Sequence, residues 1–414
     1  MRCFPLLALV VGACAGASAP PPTAPTTTMP PAAPLPGTFE DDLAFLQKHG
    51  PVILLESKAG GRVAVSAKYQ GRVMTSAVAK GSSSLGFVHR AFIEKGQTGT
   101  PFDNYGGEDR FWFGPEGGQF ALYFPPGAPF KFDKWQTPTA MQEGPWPIKE
   151  QGPAHVVFER DMKLSNYAGT PFELTVTRTV RLLSAEDVAA RIGALLPKEV
   201  KWVAFETENR ITNTGARAWT KDKGLLSVWI LGMYRPSPDA RVVIPFDPRG
   251  QGDIVNDRYF GKVPPDRLRI DRDNGVLVFS CDGQYRSKLG LGPARAKPML
   301  GSFSPSAHLL TLVQFDKPEG GPAGTFPDYV NSMWEVQSNP FGGDVVNSYN
   351  DGPTEPGKPS LGGFYELETS SPAAALAPGA ALSHTHRTLH IVGGDAEFEI
   401  LSKKAFGVPL SVAR

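Results

Sequence analysis

Residues 172–183 read FELTVTRTVRLL, with Leu174, Val176 and Arg178 on one parity and Thr175, Thr177 and Thr179 on the other. A period of two is that of an extended chain, whose side chains point alternately to opposite faces of a sheet. Strand-like text continues on both sides of it. Upstream lie VILLES, GRVAVSAKY, GRVMTSAVA, QFALYF and AHVVFERDMKL. Downstream lie WVAFETENRITNTG, LLSVWILGMY, RVVIPF, GVLVFS, HLLTLVQF, GFYELETSSP and AEFEIL. Thirteen closely spaced runs predict an all-β, mainly antiparallel sandwich. The 45 glycines and 40 prolines suit the many turns that such a fold needs. Two helices are expected. Thr38 opens FEDDLAFLQKH, with acidic residues in the first turn and Gly50 at its end. Ser184 caps AEDVAARIGALL, with Val188, Ile192, Leu195 and Leu196 on one face.

The chain has 414 residues, 42 basic and 41 acidic, for a formal net charge of +1. With no excess of one sign and no basic stripe, nucleic acid is not an expected partner. The start, MRCFPLLALVVGAC, carries Arg2 as its only charge before an apolar stretch from Phe4 to Ala13. That stretch is too short for a permanent span and has the form of a signal peptide. Val11-Gly12-Ala13-Cys14 resembles a bacterial lipobox, so residues 1–13 are expected to be removed and Cys14 lipidated. Cleavage after Ala17-Ser18-Ala19 is the alternative. Residues 14–37 hold eight prolines among Ala and Thr, an extended tether that would reach roughly 70 Å in polyproline form. Residues 38–414 are then one domain, expected to be a monomer, exported and bound to the bacterial envelope only through the lipid. With Cys3 removed and Cys14 lipidated, Cys281 is left alone. A disulfide framework and a cysteine metal cluster are thereby excluded.

Several motifs together resemble those of an uncharacterised family of bacterial exported proteins with a galactose-mutarotase-like β-supersandwich fold. They are ENRITNTG (208–215), LGGFYELETSSPAAALAPGAALSH (361–384), GGEDRFWFGPEGGQF (106–120), GLLSVWILGMY (224–234) and NPFGGDVVNSYNDGP (339–353). The resemblance covers nearly all of residues 40–400. It implies a carbohydrate ligand and acid/base chemistry on a sugar, of epimerase, lyase or hydrolase type, with non-catalytic glycan binding as the alternative. A mutarotase needs a histidine acid and a glutamate base to open and reclose the ring. Glu368, with Glu366 beside it, falls in the stretch that resembles the base-bearing strand. The strand GLLSVWILGMY, where a mutarotase would place its histidine, has none.

The residues themselves suggest where chemistry could sit. In FYELETSS, Glu366 and Glu368 share a parity, and two like charges at i and i+2 push one pKa up. In NYGGEDRFWFGPEGGQFALYF (104–124), Glu108, Arg110 and Trp112 share a parity if the segment is extended. An indole and a planar guanidinium on one face suit a sugar ring and its hydroxyls, whereas an Arg–Glu pair bracing a turn is the structural reading. GPEGG lacks the spacing of a nucleotide loop. In SHTHRTLH, His384, His386 and His390 share a parity, and His384 is the candidate general acid, with Glu108 as the other. No third metal ligand is apparent, so no metal and no cofactor are assigned. His89 is a candidate substrate contact. In NSYNDG (347–352), Asn350 and Asp351 form strong turn chemistry, with hydroxyl recognition as the second reading.

Overall fold

The computed structural model describes Met1 and residues 37–353 and 357–414. The expected signal peptide, Cys14 and nearly all of the tether lie outside the described residues. All named strand pairs are antiparallel and fall into three sheets. The largest has ten strands. Its centre runs Leu309–Phe315, Ala381–Val392, Lys201–Asn213, Pro171–Leu182 and His155–Ser165, side by side. A five-stranded sheet runs in the order Ser287–Leu291, Val346–Asn350, Tyr365–Ser370, Ser227–Tyr234 and Arg110–Gly114. A three-stranded sheet is built from Ile53–Glu56, Arg62–Ser66 and Arg72–Ala77.

The stretch 172–183 shows how the layers are joined. Phe172, Leu174, Val176, Val180 and Leu182 are buried, and so is Arg178 in the same register. The Arg178 guanidinium donates to Asp109 Oδ1 at 2.6 Å, to Asn209 Oδ1 at 2.5 Å and, through Nε, to the Gly71 carbonyl at 3.0 Å. Thr207 donates to the other Asp109 oxygen at 2.8 Å. A fully buried ion pair costs desolvation of both charges unless every lone pair and N–H is matched. Here the matching partners come from both layers, so Asp109 pins the start of Arg110–Gly114 onto the ten-stranded sheet. Since the side chains of a strand alternate, fixing Asp109 inward turns Arg110 and Trp112 to the opposite, outer face.

The histidines occupy the same inter-sheet layer. Thr369 Oγ1 lies 2.8 Å from His384 Nε2 and 2.9 Å from His386 Nδ1. His390 bridges Thr311 Oγ1 at 2.8 Å and Glu108 Oε2 at 2.9 Å, and Ser76 donates to the same Glu108 oxygen. Burial pushes His384 down to about 3 and His386 to about 4, because the interior disfavours the charged ring. Cys281 is buried as well, and its thiol is pushed up by the same effect.

Four local readings change. AEFEIL lies in an α-helix, Asp395–Ala405, in which Phe398, Leu401 and Ser402 are buried at helical spacing. Glu397 accepts from the Gly394 amide at 3.0 Å and closes the helix start. QFALYF is not a strand. Ala121 to Phe124 are consecutively buried in turns held by Ala121 N–H to Gly118 and Leu122 N–H to Pro115. The VNSYN segment is a strand, Val346–Asn350, rather than a turn. The Ser184-capped helix stops at Ile192, because Gly193 takes the left-handed conformation at φ 74°. Leu195 is consequently exposed.

Candidate functional site

The outer face of the five-stranded sheet is the floor of a cleft. Residues two apart on each strand share that face, and each strand supplies its own set. Arg110 and Trp112 come from Arg110–Gly114, Trp229 and Leu231 from Ser227–Tyr234, and Glu366 from Tyr365–Ser370. Tyr349 comes from Val346–Asn350 and Lys288 from Ser287–Leu291. Phe102, Trp135, Phe260 and Trp334, carried by loops, form the walls. The empty space of the cleft is about 550 Å³ when the open solvent at its mouth is counted.

Register explains the pairings on the floor. Glu368 stands opposite Leu231 and Asn347, and Glu366 opposite Met233 and Tyr349. Arg110 stands opposite Leu231, which puts its guanidinium diagonally beside Glu366. Arg110 Nη2 donates to Glu366 Oε1 at 3.0 Å, and the guanidinium lies 3.9 Å over the Trp112 ring. Lys288 Nζ and Trp229 Nε1 donate to the same Glu368 oxygen, Oε2, at 3.0 and 2.9 Å. Lys288 also sits 4.7 Å over the Trp229 ring. Glu116, in the turn after Arg110–Gly114, receives Trp135 Nε1 on Oε1 at 3.0 Å.

Burial dominates the electrostatics. The Glu366 carboxyl is pushed up to about 8 by desolvation, which outweighs the neighbouring Arg110, and Glu368 adds to the upward push. Glu116 is also raised by burial, against the pull of Lys288. Glu366 and Glu116 each have one bonded oxygen, Oε1, which leaves Oε2 for a ligand. Glu368, two residues along on the same strand face, is fully buried with Lys288 and Trp229 on its Oε2, and its Oε1 is closed off from solvent without a partner.

The structure brings Glu366, Arg110 and Trp112 together at the cleft, with Glu368 buried beside Glu366 on the same strand face. The other expected site residues lie elsewhere. Glu108 faces the inter-sheet layer and His390, because its neighbour Asp109 anchors the chain there before the strand begins. His384 is in the same layer, bonded to Thr369, and is neutral at pH 7. Neither can serve as an acid in the cleft. His89 caps the helix Arg90–Lys95, its Nδ1 accepting from the Phe92 amide at 3.2 Å. Asn350 is held by Asp282, Gly283 and Tyr285. Asp351 accepts from the Gly362 and Gly363 amides and from the Tyr349 hydroxyl. Both brace turns and do not line the cleft.

Sequence reasoning passed over Glu116, Trp135, Trp229, Arg286, Lys288, Tyr349 and Trp334. A signal existed for two of them: Arg286 and Lys288 in RSKLGL share a parity, but the run is too short for its period to be read. The wall residues belong to loops and carry no periodic signal at all.

The fold is all-β and antiparallel with a few short helices. The chain belongs to a family of unknown function, DUF6786, whose model matches residues 37–414. No curated protein sequence matches it. Among solved structures it is similar to a provisionally assigned aldose 1-epimerase from Escherichia coli K12, at 11% identity and a TM-score of 0.49, covering 83% of this chain and 99% of that one. It is also similar to the Slr1438 protein of Synechocystis sp. PCC 6803, at 13% identity and a TM-score of 0.47, covering 83% and 96%. A galactose mutarotase-like protein from Lactobacillus casei ATCC 334 aligns at 11% identity with a TM-score of 0.43, covering 82% and 100%.

Proposed function

We propose that the cleft binds a saccharide and performs acid/base chemistry on it. The observation that carries this reading is a pair of carboxylates, Glu366 and Glu116, that line one aromatic-walled cleft, each with one oxygen uncommitted. Indole faces pack against the C–H faces of a sugar ring, while carboxylate and guanidinium groups bond its hydroxyls. Glu366, raised to about 8, holds its proton at neutral pH and is the general acid, donating from Oε2 to a sugar oxygen. Glu116 is its counterpart as base. A raised carboxyl pKa near working pH is what proton transfer at a sugar oxygen requires. Glu368 positions the floor through Lys288 and Trp229 and takes no proton from substrate.

Thermal-shift screening against mono- and oligosaccharides, followed by NMR of any binder, tests the proposal. Glu366→Gln is expected to retain binding and lose turnover. A wild-type protein that binds no saccharide overturns the reading. Non-catalytic glycan binding is the second reading, favoured by the ion pair that already holds Glu366 against Arg110. It predicts binding without turnover in the wild type. We further propose that the protein is exported, on the strength of the apolar stretch Phe4 to Ala13 and the cysteine at 14.

A further inference from the structure

The charges around the cleft are unevenly committed. Arg110 is paired with Glu366 and Lys288 with Glu368. Arg286, the third cation at the cleft, forms no ion pair with any described residue. Its Cζ lies over the Phe260 ring, 3.8 Å from the centroid, and 5.6 Å from that of Phe132. Its Nε is buried without a hydrogen-bond partner. A ring against its face leaves the edge N–H groups as the ones that can grip an oxyanion bidentately, with the Tyr349 hydroxyl beside them.

None of the described acids near it forms an ion pair with Arg286. Asp351 is taken up by Tyr349 and by the amides of Leu361, Gly362 and Gly363. Glu116 receives Trp135 on Oε1 and keeps Oε2 open. Glu366, bonded to Arg110, keeps its proton at neutral pH and adds no negative charge beside Arg286.

Building on the saccharide reading, we infer that the sugar carries an anionic substituent, a carboxylate or a phosphate, that seats on Arg286. The aromatic walls hold the ring while Arg286, just ahead of the Ser287–Leu291 strand and two residues from Lys288, takes the charge. An exposed, fully hydrated arginine would gain little from such a contact. A half-buried, stacked one has already lost part of its hydration.

The test compares glucose, galactose and mannose, each as the neutral sugar, the uronate and the 6-phosphate, by calorimetry and thermal shift, with inorganic phosphate alone as control. At least one charged form is expected to bind about tenfold or more tightly than its neutral parent, the scale of one charge-assisted hydrogen bond. Which arm wins, uronate or phosphate, names the substituent. The preference should weaken as salt rises from about 50 mM to about 500 mM, a readout that needs no variant. Arg286→Gln should bring the charged-to-neutral ratio near one, and Arg286→Lys should keep part of it. Neutral and charged sugars binding equally would overturn this inference and leave the saccharide reading standing. Inorganic phosphate binding as tightly as the sugar phosphate would also overturn it, as a bare anion site. Binding of no sugar at all would overturn both.

Discussion

Lys288 and Trp229 are the hydrogen-bond partners of a carboxylate that is fully out of water. Lys288→Met leaves Glu368 buried with only Trp229 as donor. Breaking one side of such a pair costs about 3–5 kcal/mol, so urea unfolding should show a loss of that size. Lys288→Met with Glu368→Leu removes both charges and should recover part of it, since only the neutral Trp229 N–H is then left without its acceptor. Glu366 makes a prediction of its own sign. Its pKa in the folded chain is about 8, above the ordinary 4.5. Between those values the folded state holds a proton that the unfolded state has released. The stability it lends is therefore complete below pH 4.5 and lost as pH rises toward 8. Glu366→Gln removes that slope, so the variant should gain stability relative to wild type from pH 5 to pH 8 in urea titrations. A difference that stays flat would count against the buried, protonated Glu366. If Glu366 is the acid, turnover should also fall above pH 8 in the wild type.

At the level of elements, the turn after Arg110–Gly114 positions one wall of the cleft. A Cβ at Gly117 would come within 2.3 Å of the Met333 carbonyl and 2.9 Å of Trp334 Cα. Gly118 sits at φ 85° against Gln337. Gln119 and Gln337 exchange two hydrogen bonds at 2.9 Å, closing the contact. Gly117→Ala must push the Trp334 segment outward, so saccharide affinity should fall by about tenfold with a stability loss of only about 1–3 kcal/mol. Calorimetry and urea unfolding on the same variant check both halves. These glycines are visible in the sequence as punctuation, but their role is not, because the backbone they admit lies more than two hundred residues away. The same limit applies to AEFEIL: six residues satisfy a period of two and part of a helical period alike, and only the continuation through Ser402 to Ala405 separates them. QFALYF fails differently. A continuous apolar run reports burial, and burial does not require a strand.

Across the whole molecule, the inter-sheet layer sets the acid limit. His384 and His386 are held near 3 and 4, below the ordinary 6.5, so the unfolded chain binds more protons than the folded one in that window. Stability from this layer is lost as pH falls from 6.5 toward 4. Glu366 slopes the other way above 4.5, so Glu366→Gln should steepen the acid loss, read as the urea midpoint against pH. The proposed envelope location has its own check. Cys14→Ser should move the protein from the membrane to the soluble fraction and abolish incorporation of labelled fatty acid. An unchanged distribution would favour cleavage beyond Ala19. The all-β class, the capped helix from Phe39 and the shared face of Glu366 and Glu368 were legible in the sequence. Each rests on periodicity or capping, which are properties of neighbouring residues. Tertiary structure alone decided that Glu108 and His384 face inward while Arg110 faces the cleft. It also decided that Glu116, Arg286 and Lys288 complete the site. The physical reason is that a buried charge goes where its partners are: Arg178 holds Asp109 from one sheet and Lys288 holds Glu368 from across another, at separations that no local pattern encodes.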